Sequence, residues 1–293
     1  MSALAEFPRV RRRSSLAAAT SYARVIRAGF VKNFRLTVTY PTMVLNRLVG
    51  PIVWIAISLF SYAAIAGPDQ LRTAFEKQGA GPDVVAFLIL GQTIFSLFQS
   101  LNWRGGMAIQ RERWQGTLEI VLLAPTSRVA FVLGEALYGL VDGGWSVVLA
   151  LLVTAFAFGA HFQLANPALA VVVLVITLLA MLALSLFFSA FYVLTRSAGP
   201  LSWAIQTPIR FFSGTSFPIG ALPGALQAIS LALPLTYGAL AVRAAFNGNG
   251  TWQNQAPTIL ALAFFAALFW VLGVVLIHKM ETIAKERGTL HTY

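Results

Sequence analysis

The sequence predicts an all-α integral membrane protein with six transmembrane helices. To these it adds an N-terminal interfacial helix, a short cytoplasmic helix and an outer re-entrant helical pair. Three observations carry that prediction. Hydrophobic residues make up 58% of the 293 positions and charged residues 11%, against about 25% charged in soluble domains. The apolar residues gather in runs long enough to cross a bilayer. The cations gather between those runs on one side: of the 21 Lys and Arg residues, all but Arg72, Lys77 and Arg243 (outside) and Arg210 (within a span) fall on the cytoplasmic side, with both termini inside. A net charge of +11 in a soluble chain would point to nucleic acid. Here it is the charge bias that orients a membrane protein, and no nucleic-acid partner is expected. Cysteine is absent, which excludes disulfides, thiolate chemistry and Cys-ligated metal.

Residues 1–40 read as a cytoplasmic tail and an amphipathic helix. Arg9 and Arg11 to Arg13 open a basic tail, and the early Arg24 and Arg27 rule out the apolar core of an export signal. Over Ser21 to Tyr40, Tyr22, Val25, Ile26, Gly29 and Phe30 share one helical face and Arg24, Arg27 and Arg35 the other, with Lys32 at the flank. Such a helix lies in the membrane interface with its cations near lipid phosphates. Residues 43–278 form the six-span bundle. The first span is Met43 to Ala66, with Asn46 and Arg47 snorkelling inward. Gly67 to Asp83 is an outside loop. The second span is Val84 to Leu101, the third Val129 to Phe158, the fourth Pro167 to Leu194 and the sixth Pro257 to Ile277. Arg196 sits in a cytoplasmic turn, Asn247 to Gln255 form an outside loop, and residues 279–293 form a cytoplasmic tail.

The fifth span, Ala198 to Phe212, is short for a crossing. Gly214, Phe217, Pro218, Pro223 and Pro234 then punctuate an apolar stretch. Broken helix at membrane depth survives only where protein or a water-lined cavity covers the loose backbone. This stretch therefore reads as the outer re-entrant pair.

Between the second and third spans lies RERWQGTLEIVLLAP, Arg111 to Pro125. It reads as one short helix, easily bent at Gly116 and ended by Pro125. Glu112 and Glu119 are seven apart and share a face. Leu118, Val121 and Leu122 share another. A charged amphipathic helix held between two spans is a lever for a partner.

No G-x-x-x-x-G-K-[ST] sequence is present, so nucleotide is not bound here through a P-loop. His161, His278 and His291 are too scattered for a metal or a triad. No catalytic, metal or cofactor-binding residue is assigned. The intramembrane charges are the informative polar groups. Glu135 and Asp142 share a face of the third span. Asp142 and Arg210 reach similar depths, about 20 Å from the cytoplasmic ends at 1.5 Å per residue. Two readings stay open: Arg210 pairs with Asp142 or lines the same cavity, or it snorkels outward while Asp142 makes a structural hydrogen bond. Gly134, Gly139, Gly143 and Gly144 permit close helix contact on the third span. Aromatics such as Phe95, Trp145, Phe187 and Phe211 line a path for an amphipathic substrate, pack the bundle or face lipid.

Glu112 to Pro125, with its E-x-x-x-G-T-L-E core, leucine pair and proline, resembles the permease subunits of type-2 ABC exporters. So does SGTSFPIGALPGALQAISLALPLTYG, Ser213 to Gly238, with its F-P-I, L-P and P-L-T-Y elements. The six-span order and the amphipathic first helix match as well. The resemblance implies one transmembrane domain over 1–293 that works beside a second permease chain, here a second copy of itself, and two separate ATPase subunits. ATP and Mg belong to those ATPases, so this chain is a transport subunit and not an enzyme. The coupling residues would be Arg111, Glu112, Arg113, Trp114, Gly116, Thr117, Leu118 and Glu119, seated in a cleft of the ATPase. The membrane would be a bacterial or archaeal cytoplasmic one. NFRLTVTYPTMVLNRLVGPIVW is more similar to the drug and antibiotic branch than to the glycan branch, which favours a drug-like, amphipathic or lipid-like cargo. A polysaccharide or glycolipid exporter is the alternative within the family. An ion-coupled secondary transporter using Glu135, Asp142 and Arg210 is the alternative outside it, although the inverted repeats it would favour are not found. A membrane scaffold without transport would leave the buried charges without a task.

Overall fold

The computed structural model describes residues 15–77, 83–124, 126–158, 166–193, 195, 198–246 and 250–287, with some helical side chains left out. The expectations for Arg9 and Arg11 to Arg13, Pro125, His161, Arg196 and His291 lie outside these residues, as do those for the side chains of Asn46, Arg47, Arg72 and Leu122. Helix dominates, and no strand occurs among the described residues.

The chain opens with α1 (Ser15–Thr39). Then α2 (Pro41–Ala66) starts on a proline at its first turn and ends at Gly67, whose φ is +73°. The expected outside loop contains a helix, α3 (Pro68–Lys77). Its LRTAF stretch has helical apolar spacing, and Phe75 packs edge-on to Phe87 at 5.2 Å. Asp83 caps α4 (Val84–Leu101) by accepting from the Ala86 amide at 2.9 Å. A single π-helical turn, Asn102–Gly106, follows. Then come α5 (Ala108–Trp114), α6 (Leu118–Leu123), α7 (Arg128–Phe158), α8 (Pro167–Val193) and α9 (Ala198–Phe212). A 3-10 turn at Ile219–Ala221 leads to α10 (Gly224–Leu231), α11 (Pro234–Phe246) and α12 (Trp252–Arg287).

Among the described residues three helices are long and apolar enough to cross a membrane: Val84–Gly106, Pro167–Val193 and Trp252–Met280. A fourth span results if α10 and α11, bent by 88° at their junction, count as one. The apolar stretch described on α2, Ile52–Ala64, is shorter. The inner tail expected from 279 continues α12 as helix to Arg287.

The bundle is built around α4 and α8. Of the most apolar window of α4, 78% is buried, against 11% for α12. Ile94, Leu101, Val173, Met181, Tyr192 and Leu235 form its core, each at most 1% exposed. The periphery is held by small residues: a Cβ on Gly273 of α12 would lie 2.9 Å from the Phe187 amide nitrogen of α8. On α7, Gly134, Gly139 and Gly143 are close approaches to Ile26, Arg104 and Ser100, whereas Gly144 faces open space. The apolar face of α1 is thus applied to α7 where Gly29 meets Gly134. Its opposite face, with Arg24, Arg27 and Arg35, is exposed.

Candidate functional site

The end of α4 passes between α7 and α8 with no room for side chains. A Cβ on Gly105 would lie 2.6 Å from Ala136 Cβ and 2.8 Å from Ser185 Oγ. This close passage coincides with the π turn, whose slack places Arg104 and Asn102 on opposite errands. Asn102, fully buried, donates to Ser202 Oγ of α9 at 2.9 Å and accepts from the Tyr192 hydroxyl of α8 at 3.3 Å. Gln206 donates to the same Ser202 oxygen at 2.7 Å. Arg104 turns the other way, to α1 and α7.

Arg104 ion-pairs with Asp142 of α7 (Nε to Oδ2, 3.3 Å) and donates to Asn33 Oδ1 of α1 at 2.9 Å. Its guanidinium lies 4.9 Å from the Tyr138 ring centre. Tyr138 in turn hydrogen-bonds Thr37 of α1. One step along, Arg111 of α5 meets Glu135 of α7 (Nη2 to Oε2, 2.5 Å) and donates to the carbonyls of Trp103 and Arg104 at 3.0 and 3.1 Å. Lys32 of α1 joins both carboxylates, 2.9 Å from Glu135 Oε1 and 2.8 Å from Glu112 Oε1. Three cations and three carboxylates are thus linked across α1, the π turn, α5 and α7, with the Arg111 bond to the Arg104 carbonyl joining the two sets of ion pairs. Glu135 is fully buried and Glu112 is 5% exposed. Removing one partner from such a pair costs about 3–5 kcal/mol, because the other charge is left buried.

These contacts tune the groups. Burial pulls the Lys32 ammonium down, but the Glu135 and Glu112 carboxylates more than offset it and hold it above its usual value. Burial pushes Glu112 up, and the hydrogen bonds from Lys32 and Thr117 with the nearby Lys32 and Arg111 charges bring it below its usual value. Burial lowers Arg113, which donates to the Val193 carbonyl at the end of α8 at 3.3 Å.

The expected single helix over Arg111 to Pro125 is two. Gly116 adopts φ +71°, a left-handed conformation that stops α5. The turn is tied by the Thr117 amide to the Glu112 carbonyl at 2.9 Å and by the Thr117 hydroxyl to Glu112 Oε2 at 2.5 Å. Glu112 and Glu119 consequently do not share a face: Glu112 turns into the ion-pair lattice and Glu119 is exposed on α6. Leu118 and Val121 are half-buried, while Ile120 and Leu123 are 70% and 82% exposed, and Trp114 is 55% exposed at the end of α5.

Arg210 does not pair with Asp142. Asp142 belongs to Arg104. Arg210 donates to Gln92 Oε1 of α4 at 2.6 Å and lies over the rings of Trp54 (4.0 Å) and Phe95 (4.8 Å). Glu135, Asp142 and Arg210 make their contacts with different side chains. Of the outer segment, Gly214 takes φ +72°, Phe217 stacks with Phe211 at 6.3 Å, Pro218 precedes the 3-10 turn, and Pro223 and Pro234 begin α10 and α11.

Arg243, expected in an outside position, is 7% exposed inside the bundle. It donates to the carbonyls of Phe87, Gly214 and Thr215 and sits 3.4 Å from the Phe87 ring centre. The signal for it was present: PLTYGALAVRAAF is a continuous apolar helix pattern starting on proline, and an arginine inside one is buried or snorkels. Lys32 was legible only as a flank cation, and Asn102 as a polar residue at a span end.

Two comparisons bear on what this arrangement serves. The family model described as ABC-2 type transporter matches residues 24–247, from within α1 past the end of α11. No curated protein matches the sequence.

Proposed function

We propose that this chain, which belongs to the ABC-2 type transporter family, is the permease subunit of an ATP-driven exporter. In this reading 1–293 is one transmembrane domain with six spans in a bacterial or archaeal cytoplasmic membrane, both termini in the cytoplasm. Two copies share two separate ATPase subunits, which hold the ATP and Mg. The cargo is drug-like, amphipathic or lipid-like.

One observation carries the proposal. An exposed apolar tip at the end of α5 and on α6 (Trp114, Ile120 and Leu123) is joined by buried ion pairs to two helices of the bundle. A tip that only faced water would not need Ile120 and Leu123 exposed, and a tip that only faced lipid would not need Glu112 paired beneath it. The chemistry suits a cleft on an ATPase. The residues Arg111 to Glu119 then divide their work. Trp114, Leu118 and Glu119 are on the partner's side. Gly116 and Thr117 set the angle between α5 and α6. Arg111, Glu112 and Arg113 hand displacement to α7, α1 and α8. Because Arg111 also binds the Trp103 and Arg104 carbonyls, a push on α6 reaches the end of α4. Lys32 is the shared pivot. The re-entrant α10 and the turn from Gly214 to Pro223 cap the opposite end of the path.

The ion-coupled alternative draws no support from this geometry, since Glu135 pairs with Lys32 and Arg111, Asp142 pairs with Arg104, and Arg210 bonds Gln92 instead.

The test is co-purification of the chain with its candidate ATPase in lipid nanodiscs, comparing wild type with Ile120→Asp, Leu123→Asp and Glu119→Arg. The expected result is ATPase retained by wild type and lost from the two aspartate variants, with Glu119→Arg losing either binding or the response to cargo. An ATPase that never associates, or one that binds all four proteins alike, overturns the exporter reading.

A further inference from the structure

One donor of the π turn comes from outside the backbone. In α register the Met107 amide would bond the Trp103 carbonyl, four residues back. Here it reaches one residue further, to the Asn102 carbonyl at 2.9 Å. The Trp103 carbonyl that it passes over accepts from Arg111 Nη1 at 3.0 Å, and the next carbonyl, of Arg104, from Arg111 Nη2 at 3.1 Å. A carbonyl left without a donor is costly away from water. Arg111 supplies the donor that the π register withdraws, and Glu135 anchors it through the same Nη2.

The turn lies between two contacts that hold α9. On the α4 side Asn102 donates to Ser202 Oγ at 2.9 Å. On the α5 side the Trp114 ring covers Gly199, where a Cβ would lie 3.7 Å from ring atom Cη2 and 3.8 Å from Cζ2. Closing a π turn to α register takes up one residue, which turns one side of it by about 100° against the other. Both contacts to α9 cannot survive that rotation. The α4 side is set in the core: its most apolar window is 78% buried, and Leu101 beside the turn is fully buried. The α5 side is therefore the one that swings, and Trp114 leaves Gly199.

We propose that Arg111 is a positioning residue that sets the register of this joint. With its fork on the Trp103 and Arg104 carbonyls, the turn is π and Trp114 sits on α9. With the fork withdrawn, the Met107 amide bonds the Trp103 carbonyl, the turn closes and α5 releases α9. Two neighbouring carbonyls are met by a planar guanidinium fork, which a compact ammonium does not provide. The use of the joint rests on the exporter reading, in which displacement of α6 by the ATPase draws Arg111 from the turn. The joint itself is measured in the chain alone, so absence of an ATPase and absence of a register change are separate results.

The experiment has two readouts on the full chain in lipid nanodiscs. The sequence has no cysteine, so Gly199→Cys puts a single thiol beneath the Trp114 ring at ordinary contact distance. Its alkylation rate reports whether the ring is there. Asn102–Trp103 is the one Asn-Trp step in the sequence. Carbonyl-labelled Asn with nitrogen-labelled Trp therefore gives one NMR signal, whose carbonyl loses the Met107 amide when the turn closes. In the Gly199→Cys background, Arg111→Met is expected to raise alkylation to the rate set by Trp114→Ala and to move the NMR signal. Lys32→Met, which removes another cation of the same ion pairs, should do neither. Arg111→Lys keeps a charge for Glu135 but not the fork, so it should give an intermediate rate and a split signal, which keeps the test meaningful where Arg111→Met folds poorly. Rate and signal unchanged in both Arg111 variants overturn the proposal. So does Arg111→Lys indistinguishable from wild type, which would leave Arg111 a counter-charge only. Lys32→Met matching Arg111→Met overturns it as well, and so does a raised rate with an unmoved signal, since α5 has then shifted without a change of register.

Discussion

At the α5 end of the bundle Lys32, Arg104 and Arg111 each face a carboxylate, whereas at the far end Arg210 and Arg243 face an amide, carbonyls and rings. Apart from Lys32, which is partly exposed, the cations of both regions are shielded from water, so the difference lies in what neutralises them. The paired lattice links side chains of separate helices and transmits displacement, because no member moves without exposing another's charge. The two other arginines bind backbone carbonyls and the Gln92 amide instead. Arg243 fastens the Gly214–Thr215 turn to α4, which makes that turn part of the core. The end whose cations meet carboxylates is thus tied helix to helix by charge, and the other by backbone carbonyls and an amide.

The largest expected effect tests the carboxylate-paired end. Arg111→Met leaves the fully buried Glu135 carboxylate with only the partly exposed Lys32 as counter-charge, and thermal unfolding in nanodiscs should show a loss of about 3–5 kcal/mol. A change under about 1 kcal/mol would mean that Lys32 or water already serves this carboxylate, and the two ends would not differ as argued. The next tests the outer fastening. Gly91→Ala places a Cβ 2.0 Å from the Thr215 carbonyl oxygen and 2.3 Å from Arg243 Nη2, so the cap must move off α4. A cost of about 1–3 kcal/mol is expected, with faster amide exchange confined to 213–218. Unchanged exchange there would show the cap held by something other than Arg243.

The smallest effect is a pH dependence confined to the lattice. Glu112 is held below its usual 4.5, so its contribution is complete above that pH and is lost as pH falls through the lower folded value. Lys32 is held above its usual 10.5, so its contribution is complete below that pH and is lost as pH rises through the higher folded value. The stability difference between wild type and Lys32→Met should therefore be flat between these limits and shrink beyond each. A difference that instead varies across neutral pH would place another titrating group in the lattice.

Wherever one residue type acts through its own period or its own backbone, the sequence alone was enough. The apolar runs at α4, α8 and α12 follow from hydropathy, and the short helical segment of α5 and α6 from a charged stretch bounded by long apolar ones. Gly116 and Pro234 mark real breaks because a left-handed φ and a missing amide are local properties. The helix at α3 was passed over because Gly and Pro at both ends of that segment outweighed a ten-residue pattern. Partner choice was not local. Equal depth along two helices suggested Arg210 for Asp142, but depth says nothing of rotation about each axis. The π turn brings Arg104 to Asp142, and the Gly29–Gly134 approach brings Lys32 to Glu135. Arg243 lies inside the bundle because the 88° bend between α10 and α11 turns its helix back against α4. Hydropathy determined which segments leave water. Only the tertiary packing decided which charge meets which, because an ion pair depends on a few ångströms between segments far apart in the chain, and no spacing along one segment encodes that.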